Sequence, residues 1–207
     1  MRGALFMTQK DMILEKHLPI NKISILEQGA HRYTLSSCIL LFFTFSFFGW
    51  LWEVLLHLYM DHALVNRGVL FGPWLPIYGF GGVFVLIFFH RFSGKPYKVF
   101  FLTMLMAGTM EFLTGSILWK VYHMRWWDYS NSLINIKGYV CLEGLLLFGI
   151  AGLSSLYIIS PLLDRVFLRI PRKFRYILCG ILVVLFFLDA GCSLISPNIG
   201  LGITAPH

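Results

Sequence analysis

Charge is what this sequence has least of. Only 13% of its 207 residues are Asp, Glu, Lys or Arg, and 57% are hydrophobic. A soluble domain carries about 25% charged residues, so the composition excludes an ordinary water-soluble fold. Cysteine is also scarce: Cys38, Cys141, Cys179 and Cys192 stand alone, with no CxxC pair. That spacing gives neither a disulfide framework nor a metal site. No GxxxxGK[ST] loop occurs, so the chain does not bind ATP in the usual way. There is no HExxH and no Ser-His-Asp order, and hence no recognisable reaction class. The apolar run from Gly3 to Met7 is too short for the core of a secretory signal, and Gln9, Lys10 and Asp11 follow it directly.

What is present is a series of long apolar runs. Their length suits an all-α integral membrane protein of about five transmembrane helices, at roughly 20 apolar residues per span. The spans read as Leu35 to Leu58, Val69 to Phe89, Val99 to Trp119, Tyr139 to Ser160 and Tyr176 to Ile195. Residues 1–34 form a polar and apolar tail, with an amphipathic stretch at Met12 to Leu18. Residues 35–196 form the helical domain, and residues 197–207 a short C-terminal tail. Pro161 is expected to end the fourth span, and Asp164 to Arg175 to form a basic loop.

The stretch VNRGVLFGPWLPIYGFGG, Val65 to Gly82, breaks the pattern. Pro73 and Pro76 remove backbone donors, and the glycines loosen the helix. Such backbone is tolerated at membrane depth only where it is buried in protein or lines a wet cavity. An irregular or re-entrant segment is therefore expected before the second helix. Gly79, Gly81 and Gly82, Gly108 and Gly115, and Gly149 and Gly152 are small residues that permit close helix approach.

The net charge of +7 does not point to nucleic acid, because basic residues of membrane proteins gather in cytoplasmic loops. With five spans, the tail holds Arg2, Lys10, Lys16, Lys22 and Arg32. On the same side fall Arg91, Lys95, Lys98, Arg165, Arg169, Arg172, Lys173 and Arg175. The other side has only Arg67, Lys120, Arg125 and Lys137. The asymmetry places the N-terminus in the cytoplasm and the C-terminus outside, in a multi-pass cell-membrane protein.

Four acids fall inside spans: Glu53, Glu111, Glu143 and Asp189. A charge at mid-bilayer costs about 2.5–3.5 kcal/mol on insertion scales, so intramembrane acids point to a site. All four fall at the midplane or in the outer half, beside the two polar outer loops. The expected arrangement is an outward-facing polar cavity. Arg67 supplies the counter-charge, within ion-pair or one-water reach of Glu53 or Glu111. Asn66 and Asn135 supply hydrogen bonds, and Trp127, Asp128 and Tyr129 the mouth. Trp126 is expected in the interfacial aromatic belt.

Glu53, NRGVLFGPWLPIYGFGG from Asn66 to Gly82, Glu111, WDYS from Trp127 to Ser130, Asn135, Gly138 and CLEG from Cys141 to Gly144 together resemble one family. It is the putative type-IV ABC-transporter family, the CmpB-like membrane proteins, and the resemblance covers about Gly49 to Gly152. It implies a permease subunit that works with a separate ATPase chain, contacted through the basic cytoplasmic loops. At this length a transport pathway would be thin, which leaves room for a homo-oligomer. The same polar site also suits an intramembrane enzyme acting on a lipid-linked or small substrate, with Glu53 or Glu111 as base, or a membrane sensor or assembly factor. No cofactor is expected.

Overall fold

Thr34 opens the first helix: its hydroxyl accepts from the Ser37 N–H at 3.2 Å, satisfying one of the free donors of the first turn. The computed structural model describes residues 33–200; the amphipathic stretch at Met12 to Leu18 lies outside the described residues. From Leu35 the chain runs as α1 (Leu35–Asp61), α2 (Pro76–Phe92), α3 (Pro96–Tyr122), a short hairpin of β1 (Asn135–Ile136) and β2 (Val140–Cys141), α4 (Leu142–Arg169) and α5 (Arg172–Ile195). In the hairpin, Asn135 pairs with Cys141 and Ile136 with Val140, antiparallel.

α1, α3, α4 and α5 are long and apolar enough to cross a membrane. At 1.5 Å per residue, the 27 residues of α1 span about 40 Å, more than the roughly 30 Å hydrocarbon core. α2 reaches only about 25 Å by the same measure. The irregular residues 62–75 lead down to its start. Leu75 N–H donates to the carbonyl of Ser46, well inside α1, at 2.9 Å. The chain therefore enters to the depth of Ser46 before α2 begins at Pro76, as the two prolines and the glycines lead one to expect.

The glycine seams do what their size permits. A Cβ on Gly79 would lie 2.7 Å from the Phe42 carbonyl oxygen, so α1 and α2 meet backbone to backbone there. A Cβ on Gly152 would lie 2.5 Å from Thr103 Oγ1, so the Thr103 side chain of α3 packs directly on the α4 backbone. Gly81 differs, because nothing stands within 4 Å of its missing Cβ; it faces open space.

The fourth helix does not stop at Pro161. A wide π-turn at Ser155–Ile159 precedes the proline, and the helix continues to Arg169. The extra residue in that turn relieves the clash that a proline ring makes with the preceding turn. A second π-turn, Val85–Phe89, lies in α2. Together the two turns bring Val85, Leu86 and Leu156 against Leu41 and Val99, all buried. The expected basic loop is instead mostly helix, broken only at Ile170 and Pro171. Arg175 is 4% exposed and donates to the Phe167 carbonyl, so it is a packed residue and not part of a solvated loop.

α1 and α5 run parallel. Cys179 Sγ lies 3.6 Å from the Ser36 carbonyl near the start of α1, while Asn198, just past the end of α5, donates to Asn66 just past the end of α1. Parallel first and last helices mean that the chain crosses an odd number of times between them.

Candidate functional site

At one end of the bundle three irregular pieces meet: residues 62–75, residues 123–141 and residues 196–200. Outside the short hairpin, their backbone polar groups need partners that neither helix nor sheet supplies. Side chains fill the role. Asp189 accepts from Phe71 N–H at 3.0 Å, Gly72 N–H at 2.8 Å and Trp74 Nε1 at 2.7 Å. Asn198 donates through Nδ2 to the carbonyls of Asn66 and Gly68, both at 3.0 Å, and its own N–H reaches the Val69 carbonyl. Asn66 accepts from Trp50 Nε1 at 2.6 Å and donates to the Phe71 carbonyl at 2.8 Å. Gly68 has φ +96°, a left-handed conformation that strains any residue with a side chain.

The loop before α4 is braced in the same manner. Asp128 accepts from Arg125 at 3.0 Å and from the backbone N–H and hydroxyl of Ser130. Desolvation works against its charge, but Ser130 and Arg125 together hold the carboxyl below the usual aspartate range. Arg125 also lies over the Tyr139 ring, 4.9 Å from its centroid. Asn135 accepts from Gly138 N–H and donates to the Ser132 carbonyl, closing the turn.

Held by this scaffold is a cavity of about 480 Å³, within the usual size range for small-molecule sites. Glu53 comes from α1, Arg67 from the irregular segment, Glu111 from α3, and Trp127 and Tyr129 from the loop before α4. Arg67 is 6% exposed, and its Nη2 donates to the Trp126 carbonyl at 2.7 Å. Glu53 Oε1 accepts from the Tyr78 hydroxyl at 2.7 Å. Glu111 is 5% exposed and is hydrogen-bonded by Tyr129, while its Oε2 is buried with no partner. Burial first, then the carboxylates of Glu111 and Glu53, push the Tyr129 hydroxyl well above its ordinary pKa. It therefore keeps its proton and acts as the donor.

Of the residues singled out from sequence, Glu53, Arg67, Glu111, Trp127 and Tyr129 are brought to one cavity wall. Asn66, Asp128 and Asn135 are not among the lining; their hydrogen bonds go to the loops that hold it. Asp189 likewise faces the irregular segment, and Glu143 is exposed outside the cavity. Trp126 is not a belt residue. It is 2% exposed, donates to the Asn198 carbonyl at 3.1 Å and lines the cavity, because the C-terminal segment folds over it. Sequence reading missed Tyr78 and Asn198. Tyr78 sits in the PIYG run that marked the break, two residues past Pro76 and on the first turn of α2, but only the packing of α1 on α2 aims it at Glu53.

A second cavity of about 410 Å³ adjoins the first and shares Ile77, Tyr78, Met110, Glu111 and Phe148 with it. The rest of its wall is almost wholly apolar. The irregular segment, Glu53, Glu111 and the WDYS loop all fall between residues 53 and 130, and a family model described as "Putative ABC-transporter type IV" matches over residues 40–194. The chain belongs to this family. It is a membrane-embedded member of a transport-related group, and the matched region takes in all five helices. No curated protein and no solved structure matches it.

Proposed function

We propose that the protein is the membrane-spanning subunit of an ABC-type transporter, with its substrate or ion site at Glu53, Arg67 and Glu111. The observation that carries this reading is the convergence of two acids and an arginine from three separate elements on one cavity, behind an irregular segment that enters to the depth of Ser46. Broken helices at a polar site are a device of transporters, since they free backbone groups and let a substrate approach them. Trp127 and Tyr129 form the loop-side wall, and Asn66, Asp128 and Asn135 position the loops around the mouth.

In this reading the loop end faces outward. The N-terminal tail, residues 1–34, lies in the cytoplasm, residues 35–196 form the membrane domain, and residues 197–207 lie outside. The lysine and arginine asymmetry supports that orientation. The exposed Arg91, Lys95, Arg165, Arg169, Arg172 and Lys173 then face the cytoplasm, where a separate ATPase chain would dock.

The test is reconstitution of the chain with a candidate ATPase in liposomes. ATP turnover should rise when the chain is present. The rise should shrink with Arg67→Ala or Glu53→Gln, each judged on protein that unfolds at the parent temperature. An ATPase indifferent to the chain, or stimulation unaffected by both variants, would overturn the reading.

A further inference from the structure

Glu111 lies well inside α3, a helix long and apolar enough to cross a membrane, on the wall shared by the two cavities. Tyr129 bonds its carboxyl, while Oε2 is sealed from both cavities and has no donor. The groups that face it are Glu53 from α1, the Tyr78 hydroxyl from α2, Arg67 and Tyr129 from the irregular segments, and the Cys141 thiol from the hairpin. Among the described residues, α4 and α5 add no titratable group to the lining, and no lysine or arginine forms an ion pair with Glu111. An ionised carboxylate here would leave one oxygen with neither donor nor counter-ion, in the same chamber as a second acid. That is the costly way to bury a carboxyl group. A neutral carboxyl leaves only one hydroxyl unpaired, which costs less.

We propose that Glu111 is a proton-binding site, held as the neutral acid at neutral pH with the proton on Oε2, and that it releases the proton only when the seal between Oε2 and the polar chamber opens. On release the proton passes to water in the chamber, and the opened chamber hydrates the carboxylate that remains. Tyr129 stays a donor throughout, because burial and Glu53 keep its proton even while Glu111 is neutral. Glu53 and Arg67 are then the charged lining of the chamber, one of each sign. The proposal deepens the reading under Proposed function, since it makes a proton the ion that Glu111 handles. It is tested without an ATPase, so the two ideas fail separately.

The experiment is infrared spectroscopy of the full chain in a maltoside detergent, which has no carbonyl group of its own. At neutral pH a carboxylic-acid C=O band is expected. It should shift when glutamate is labelled with heavy carbon at the side-chain carboxyl, and it should be lost in Glu111→Gln. It should persist in Glu53→Gln and in Glu143→Gln, the second of which replaces an exposed residue outside both cavities. Glu111→Gln copies the shape of the neutral acid and removes no charge, so it should unfold at the parent temperature at neutral pH. At alkaline pH the parent should become the less stable of the two. The folded parent keeps a proton that the unfolded chain releases, so its stability falls as pH rises. A parent spectrum without the band needs no variant and would overturn the proposal. So would a band that survives Glu111→Gln or vanishes in Glu53→Gln, or a Glu111→Gln chain that fails to fold where the parent folds. If the band is absent while the chain still stimulates an ATPase through Arg67 and Glu53, the proton is wrong and the transport reading stands. A band at Glu111 with no ATPase response leaves the proton site standing alone.

Discussion

Asp189→Ala should loosen the irregular segment before it disturbs any helix. The carboxylate takes four hydrogen bonds: from Phe71 N–H, Gly72 N–H and Trp74 Nε1 in the irregular segment, at 2.7 to 3.0 Å, and from the Ser193 hydroxyl on its own helix at 3.2 Å. A bond to a charged group contributes about 1.5–3 kcal/mol, but the site is partly exposed and the bonds share one carboxylate. A loss of about 2–4 kcal/mol is expected, below the simple sum of the bonds. Trp74→Phe removes one of the four and should cost about 1 kcal/mol. In the Asp189→Ala background the same change should cost close to nothing, because its partner has gone. The assay is unfolding in mixed micelles, with hydrogen exchange read at the Phe71 and Gly72 amides. Those amides should lose protection while those of α3 keep theirs. A loss below about 0.5 kcal/mol with unchanged protection at Gly72, or additive effects of the two changes, would refute the anchoring role.

Other outcomes follow from the same structure. Asp128 has a lowered folded pKa, so the stability that its clamp supplies is present above the ordinary aspartate value and is lost as pH falls through the lowered one. Hydrogen exchange at Ser130 should therefore stay slow through mildly acid pH and quicken only below the ordinary range. Gly68→Ala should destabilise by about 1 kcal/mol or more in thermal unfolding, since φ is +96° and the new Cβ would strike Leu75. Glu53→Ala and Arg67→Ala should each lower stability or ATPase stimulation, and the double variant by less than the two together, if the two share one site. Purely additive losses would separate them. A reporter fused after His207 should behave as extracytoplasmic; cytoplasmic activity there would reverse the orientation.

Much of the architecture was legible in the residues themselves. Long apolar runs leave a chain no alternative to helices in a bilayer, because every backbone group must be paired within its own segment. The break before the second helix was equally readable, since Pro73 and Pro76 cannot donate and their absence of N–H is local. Glu53, Arg67 and Glu111 stood out because charge is rare in such a chain. What sequence reading mistook was continuity. Pro161 suggests an end, but the π-turn at Ser155–Ile159 carries the helix past it, with Leu156 buried against Val85 and Leu41.

Partnership was decided only by tertiary structure. Asp189 has the chemistry of a binding site, and nothing local tells that its hydrogen bonds go to the distant irregular segment instead, whereas Asn135 bonds within its own turn. Asp189 is 117 residues from Gly72, and Asn198 is 132 from Asn66. Tyr78 reaches Glu53, and Trp126 turns inward under Asn198, through the packing of distant elements. A side chain's type sets which bonds it can form, and the periodicity around it sets which helix carries it. Which group it meets depends on how the helices pack, and that is settled by the glycine contacts at Gly79 and Gly152 and the buried contacts around Val85 and Leu156, not by any neighbour in sequence.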